Sequence, residues 1–326
     1  MQGEWNDKVF GLKEADFEAF CLETFRFQYD YNDIYREYVK ALHISPGKVQ
    51  SLVQIPFLPI RFFKTHPVQT TSFQPQAVFE SSGTTGTINS RHFIKDISLY
   101  EESFTRGFEF FYGPVKEWCI IGLLPSYLER NNSSLVYMTD KLICQSEHPQ
   151  SGFYLNEYDK LAAVLNELER RKQKTLLIGV TFALLDFAEQ FPLPLTNMIV
   201  METGGMKGRR KEMVRQEVHA ILKKSFYTET VHSEYGMTEF LSQAYSKGNG
   251  LFRCPPWMKV MIRDEEDPLQ LKESGSGAIN VIDLVNIYSC SFIATDDVGK
   301  LNADGSFEVL GRMDGSDLRG CSLMVV

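Results

Sequence analysis

The sequence predicts an α/β protein: a largely parallel sheet covered by helices, followed by a smaller β-rich subdomain. Three observations predict it. Between residues 78 and 250 short apolar runs alternate with stretches of amphipathic helical spacing, the pattern of consecutive strand–helix–strand units. After Gly250 the helical spacing stops, and short strand patterns joined by Gly, Asp and Pro take over. The 326 residues, 43% hydrophobic and 23% charged, supply enough apolar surface for a sizeable core in one large domain or two.

The elements follow in chain order. Phe17, Phe20, Cys21, Leu22 and Phe25 fall at helical spacing, and Ile34, Tyr38 and Leu42 continue it. Pro56, Pro59, Pro67 and Pro75 then forbid long regular elements. Residues 118–124 read as a buried strand, and Leu161, Val164, Leu165 and Leu168 mark a helix. The basic end of that helix, Arg170, Arg171 and Lys172, suits the carbonyl end of the dipole. Residues 175–180 read as a strand, 182–190 as a helix and 198–201 as a strand. A helix is expected over 211–224 with Met213, Val214, Val218 and Leu222 inward, then a strand-like run over 226–231. Short strands over 260–262, 278–282, 291–294 and 307–310 complete the tail. The expected organisation is therefore a helical and irregular segment (1–77), an α/β core (78–250) and a β-rich subdomain (251–326).

The net charge of −8 is opposite to that of a protein wrapping duplex nucleic acid, so that class is disfavoured. The stretch Met1-Gln2-Gly3-Glu4-Trp5-Asn6-Asp7 lacks a basic region followed by an apolar one, and no signal peptide is expected. The most apolar run, 175–188, is broken by Gly179, Thr181 and Asp186 and is too short to span a bilayer. The six cysteines never form a Cys-x-x-Cys pair, so they read as free thiols in a reducing, cytoplasmic compartment.

Four motifs carry chemistry. In Ser81-Ser82-Gly83-Thr84-Thr85-Gly86-Thr87 two glycines permit unusual backbone conformations and the hydroxyls crowd one turn, as in an anion nest; a plain surface loop is the alternative. It is neither a Walker A loop nor a dinucleotide fingerprint. In Ser233-Glu234-Tyr235-Gly236-Met237-Thr238-Glu239 a ring can stack on a base, a hydroxyl can meet phosphate and a carboxylate can hold Mg²⁺. The same string also suits a turn into a helix capped by Thr238. Thr295-Asp296-Asp297-Val298-Gly299 offers an Asp to a ribose, or forms a β-turn. Gly311-Arg312-Met313-Asp314-Gly315-Ser316-Asp317-Leu318-Arg319-Gly320 is the fourth, with a solvated polar loop as its alternative.

In this order the four motifs resemble the adenylate-forming superfamily of acyl-CoA synthetases, firefly-type luciferases and peptide-synthetase adenylation domains, from about Val78 to the carboxyl end. Ile55-Pro56-Phe57-Leu58-Pro59, Phe63-Lys64, Ser90-Arg91-His92, Glu202-Thr203-Gly204-Gly205-Met206-Lys207, Pro255-Pro256-Trp257 and Leu318-Arg319-Gly320-Cys321 narrow the resemblance. They look like the acyl-protein synthetases of bacterial bioluminescence. The resemblance implies the N-terminal domain of an adenylate-forming enzyme, using ATP and Mg²⁺ to activate a fatty or aryl acid. It implies that Ser82, Thr84, Thr85 and Gly86, within the loop from Ser81 to Thr87, cradle the β- and γ-phosphates. Gly204 and Gly205 would lie against adenine and Tyr235 would stack on its other face. Thr238 would touch the α-phosphate, Glu239 would carry Mg²⁺, and Asp297, with Arg312 beside it, would hold the ribose.

Two departures stand out. Where the superfamily continues its phosphate loop to Pro-Lys, this chain has Thr87-Ile88-Asn89-Ser90-Arg91, and Arg91 brings a fork rather than a point charge. The chain also stops at Val326, soon after Asp314 at the expected hinge. The mobile C-terminal lid and its lysine are therefore expected to be absent, with a partner supplying a lid. Cys321 matches the neighbourhood of the acylated cysteine in the bioluminescence relatives, with Arg319 favouring its thiolate; a small buried residue is the alternative. CoA and an acyl carrier protein are the other acceptors, which leaves an acyl- or aryl-CoA ligase as a second reading. A nucleotide-binding subunit without turnover is a third. His92 and His232 are open between core and site, and 179–185 between core helix and acyl channel.

Overall fold

The computed structural model describes residues 2–81, 88–124, 132–155, 157–204, 213–264 and 267–313. The chain opens with three helices, α1 (Gln2–Phe10), α2 (Phe17–Tyr31) and α3 (Asp33–Ala41). Phe17, Phe20, Cys21 and Phe25 are buried along α2, the spacing expected of its inner face. Asn32 caps α3, its side-chain oxygen accepting from the Tyr35 N–H at 3.0 Å. The proline-rich stretch holds only β1 (Leu58–Pro59) and α4 (Phe62–Thr65), and a hairpin of β2 (Ala77–Glu80) and β3 (Arg91–Ile94) follows.

Strands and helices then alternate as expected. They are α5 (Ile97–Tyr112), β4 (Cys119–Leu123), α6 (Ser134–Ser146), β5 (Gly152–Phe153), α7 (Tyr158–Arg171), β6 (Thr175–Val180), α8 (Thr181–Gln190), β7 (Met198–Thr203), α9 (Arg215–Phe226) and β8 (His232–Tyr235). Two boundaries differ from the reading of the sequence. The helix expected from 211 begins at Arg215 among the described residues, and it runs through Phe226, which is buried, before Tyr227 ends it in the left-handed region (φ 49°). The strand expected over 226–231 therefore lies at His232–Tyr235. The tail is all strand: β9 (Ala244–Ser246), β10 (Leu251–Arg253), β11 (Met258–Arg263), β12 (Leu271–Lys272), β13 (Gly275–Asp283), β14 (Phe292–Leu301) and β15 (Phe307–Arg312).

Contacts divide the chain into two units, one of residues 1–104, 236–243 and 253–309, the other of 105–235, 244–252 and 310–326. These units are discontinuous, whereas the three sequential segments describe chain order and remain a proposal. In the first unit the strands run β12-β11-β13-β14-β15 with β1 parallel to β14. The row Val260, Val281 and Ile293 crosses β11, β13 and β14 fully in register and is buried. Gln28 of α2 ties the helices to this sheet, donating to the Ile287 carbonyl at 2.9 Å and accepting from the Ser291 N–H at 2.9 Å.

In the second unit β5, β4, β6, β7 and β8 are parallel, and β9 and β10 extend the sheet, β9 antiparallel to β8. Its core sets Ile121, Leu177 and Val200 of the strands against Leu161, Leu165, Leu184, Leu222 and Phe226 of the helices. Strands buried on both faces read as continuous apolar runs, which is why β4, β6 and β7 were legible.

Candidate nucleotide-binding residues

The first unit brings two of the four motifs together. Ser81 and Ser90 close the neck of the Ser/Thr/Gly loop: the Ser81 N–H donates to the Ser90 carbonyl at 3.0 Å, and the Ser90 N–H donates to Ser81 Oγ at 2.9 Å. Ser82, Gly83, Thr84, Thr85, Gly86 and Thr87 lie outside the described residues. One step beyond the neck, Arg91 lies exposed with its guanidinium over the Phe93 ring, 5.6 Å from the centroid.

His92 points the other way and is fully buried. Its Nδ1 meets the Thr238 carbonyl at 2.8 Å and its Nε2 meets Asn286 Oδ1 at 2.9 Å, while Asn286 Nδ2 donates to the Glu239 carbonyl at 2.8 Å. The strand leaving the loop is thus tied directly to the Thr238-Glu239 turn. Burial pushes the His92 pKa below its ordinary value, against the pull of the Thr238 carbonyl, the Glu239 charge and Asn286.

The turn itself is not a helix start; among the described residues no helix follows Gly236 before β9. Asp283 holds it instead, accepting from the Leu241 N–H at 2.7 Å, the Ser242 N–H at 3.0 Å and Ser242 Oγ at 2.6 Å. Burial raises the Asp283 pKa to about 6, although these donors pull it down.

The third motif is a strand rather than a β-turn. Ala278 pairs with Val298 and Asn280 with Ala294, so Ile279 alone faces Thr295, Asp296 and Asp297. This is a β-bulge inside β14, the device that re-aims side chains next to functional sites. Asp297 and Glu239 are both fully buried. Among the described residues no group of three acidic, His or Cys side chains forms a metal cage. A single buried carboxylate, Glu239, fits a Mg²⁺ that arrives on a triphosphate rather than one held by the protein alone.

The second unit carries Gly204, Tyr235 and Arg312. Gly204 is exposed beyond β7, and Gly205 lies outside the described residues. Tyr235 ends β8 and packs edge-on against Phe252 at 5.9 Å. Arg312 ends β15 and is half-buried, while Asp314 and Cys321 lie outside the described residues.

The ends of β6, β7 and β8 are locked by Glu202, which accepts from Thr181 Oγ1 at 2.9 Å and Ser233 Oγ at 3.1 Å. Arg215 Nε and His219 Nε2 stand 3.7 and 3.6 Å from its carboxylate. Burial alone would raise the Glu202 pKa, but His219, Arg215 and Thr181 outweigh it and hold it at about 2. Opposite Thr203 on the next strand, Glu234 accepts from Thr203 Oγ1 at 2.7 Å. Burial, with the Glu202 charge adding to it, lifts Glu234 to about 7.

His232 lies against Tyr112, its Nδ1 3.2 Å from the hydroxyl, and burial lowers its pKa to about 4. The 179–185 run forms the end of β6 and the start of α8, with Ala183, Leu184 and Leu185 in the core. Sequence reading missed Asn286, Asp283 and the role of Glu202. A carboxylate ending an apolar strand was the available signal for Glu202; Asn286 and Asp283 had none.

Solved structures share this fold. The chain matches the crystal structure of ATP-bound MatB from Rhodopseudomonas palustris with a TM-score of 0.55 and 15% identity, over 72% of this chain and 48% of that one. It matches an ATP-bound RpMatB-BxBclM chimera with a TM-score of 0.55 and 17% identity, over 74% and 49%. The chain thus spans about half the length of these solved structures, and at such identity the likeness establishes the fold.

A curated relative, the long-chain-fatty-acid–luciferin-component ligase of Aliivibrio fischeri, is 21% identical over 92% of this chain and 85% of its own length. The family model for acyl-protein synthetases, LuxE, matches residues 9–326, and the chain belongs to that family. It is a ligase-class enzyme that activates an acid and transfers its acyl group. Among the described residues no helix is long and apolar enough to cross a membrane.

Proposed function

We propose that this enzyme activates a long-chain carboxylic acid with ATP and passes the acyl group to a thiol, its own Cys321 or one on a partner protein. The supporting observation is the tie from the neck of the Ser/Thr/Gly loop through His92 and Asn286 to Thr238 and Glu239. His92 and Thr238, 146 residues apart in the chain, put the two motifs in one hydrogen-bonded frame, as a triphosphate site needs. The chain length is taken from the name of the Aliivibrio fischeri relative, and the free thiols fit a cytoplasmic setting.

A carboxylate is a poor electrophile because its leaving group would be oxide. In the first half-reaction a carboxylate oxygen attacks the α-phosphorus. The bond from that phosphorus to the bridging oxygen breaks, and pyrophosphate leaves with the electron pair. In the second, a thiolate sulfur attacks the acyl carbon, the acyl–oxygen bond breaks and AMP leaves; the thiol proton passes to solvent. Positioning and charge neutralisation carry the first half.

In this reading Ser81 to Thr87, with Ser82, Thr84, Thr85 and Gly86 foremost, take the β- and γ-phosphates, and Arg91 adds charge beside them. Thr238 donates to the α-phosphate. Gly204, Gly205 and Tyr235 hold adenine, Gly236 lets the chain turn under it, and Asp297 with Arg312 takes the ribose. Glu239 would be the protein ligand of a Mg²⁺ carried on the triphosphate, which would supply charge neutralisation there.

Exchange of labelled pyrophosphate into ATP tests the reading. Exchange that requires an acid and rises with chain length is expected, and Glu239→Gln lowers it by roughly a hundredfold. A chain that binds ATP yet shows no exchange with any acid is a nucleotide-binding subunit, and the proposal fails. Acyl label that collects only on added CoA makes the enzyme an acyl-CoA ligase instead.

A further inference from the structure

Arg263, the last residue of β11, is a charged side chain only 7% exposed. Its Nη1 donates to the Ile279 carbonyl at 2.9 Å and to Asn280 Oδ1 at 2.6 Å, and its Nη2 donates to the Thr295 carbonyl. Two of these acceptors, the Ile279 and Thr295 carbonyls, belong to the β-bulge, and Asn280 flanks it. Thr295 Oγ1 donates to the same Ile279 carbonyl at 2.8 Å and accepts from the Asp297 N–H at 3.2 Å. The chain from Arg263 to the Asp297 backbone is therefore continuous: guanidinium, Ile279 carbonyl, Thr295 hydroxyl, Asp297 amide. On the outer side Arg61 Nε pairs with Asp296 Oδ2 at 3.2 Å.

A bulge that sets three residues against one takes backbone groups off the ladder, and buried backbone groups need other partners. Here one guanidinium supplies them. Its planar fork reaches carbonyls on two strands at once, which an ammonium on a flexible stem does not reproduce. Burying a cation in a β-sheet is costly, and a regular β13–β14 ladder would not need it. The arginine is explained by the bulge, and the bulge determines where Asp297 points.

We infer that Arg263 is a positioning residue: by fixing the Thr295–Asp297 bulge it aims the Asp297 carboxylate at the ribose hydroxyls of the nucleotide. This rests on the assignment of Asp297 to the ribose made above.

Calorimetric titration of the full chain with ATP and with 2′-deoxy-ATP tests it without requiring turnover. A hydroxyl bonded to a carboxylate makes the wild type favour ATP by roughly tenfold or more. Asp297→Asn abolishes most of that preference. Arg263→Met and Thr295→Val, the second a milder change at constant shape, are expected to reduce the preference several-fold while still binding 2′-deoxy-ATP. An arginine with only a structural role would weaken both nucleotides alike and leave their ratio unchanged. Should Arg263→Met fail to fold, Thr295→Val decides. A ratio that stays at the wild-type value in the folded variants while Asp297→Asn loses it overturns the clamp alone. A wild type that binds both nucleotides equally, or an Asp297→Asn chain that keeps the preference, overturns the ribose assignment and this inference with it.

Discussion

Two glutamates on neighbouring strands titrate in opposite directions. Glu202 has cationic and hydroxyl partners and lies at about 2; Glu234 has one hydroxyl, the same burial and a like charge nearby, and lies at about 7. The sign for stability follows from which state binds the proton. Between the ordinary value of 4.5 and about 7, native Glu234 is protonated while the unfolded chain is not. Its contribution is therefore fully present below 4.5 and is lost as pH rises through 7. Glu202 adds no slope in that window, since its own contribution is lost only as pH falls from 4.5 towards 2. Glu234→Gln keeps the partner to Thr203 and removes the proton. Urea melts at pH 4.5 and pH 7 should show the wild type losing roughly 3 kcal/mol relative to the variant across that interval. A constant difference between the two proteins would mean that Glu234 is ionised throughout.

Strands and bulges show how local sequence is overruled. Thr295-Asp296-Asp297-Val298-Gly299 has the composition of a turn, yet it lies inside a ten-residue strand, because β13 pairs with β14 on both sides of the bulge, at Phe292, Ile293 and Ala294 and again from Val298 to Leu301. Turn propensity is worth less than the ladder on either side. Phe226 misled in the other direction: its apolar neighbours suggest a strand, while its spacing from Val218 and Leu222 puts it on the inner face of α9. Only the packed core decides between those periods. Gly299 marks the place where β14 is hemmed in on two sides. A Cβ there would strike the Glu308 carbonyl on β15 and stand 2.6 Å from Ile279 Cδ1. Gly299→Ala should therefore cost about 2 kcal/mol or more, read from the urea midpoint. Gly305→Ala meets nothing within 4 Å but sits at φ +76°, so it isolates the cost of backbone strain from that of a clash.

Across the whole molecule the motifs proposed to carry chemistry were legible, and the residues that support them were not. Motif order is a property of the sequence, so the loop from Ser81, the Tyr235–Glu239 stretch and Asp297 could be picked out by type and spacing. Arg263, Asn286 and Asp283 act on residues far away in number, and nothing in their own neighbourhoods announces it. The acyl acceptor is the same problem at the largest scale, and the cysteines themselves narrow it. Burial pushes the thiol pKa of Cys21 up, that of Cys119 to about 11 and those of Cys254 and Cys290 to about 12, so their thiolates are scarce at neutral pH. Cys144 on α6 is exposed and is the competitor to Cys321. Incubation with ATP, Mg²⁺ and a long-chain acid should add the mass of the acid less water, and hydroxylamine should remove it. Cys321→Ala should abolish that adduct and keep pyrophosphate exchange, because sulfur enters only after the adenylate forms. Cys144→Ala should retain the adduct. If instead Cys144→Ala loses it and Cys321→Ala does not, the acceptor is on α6 and the assignment of Cys321 is wrong.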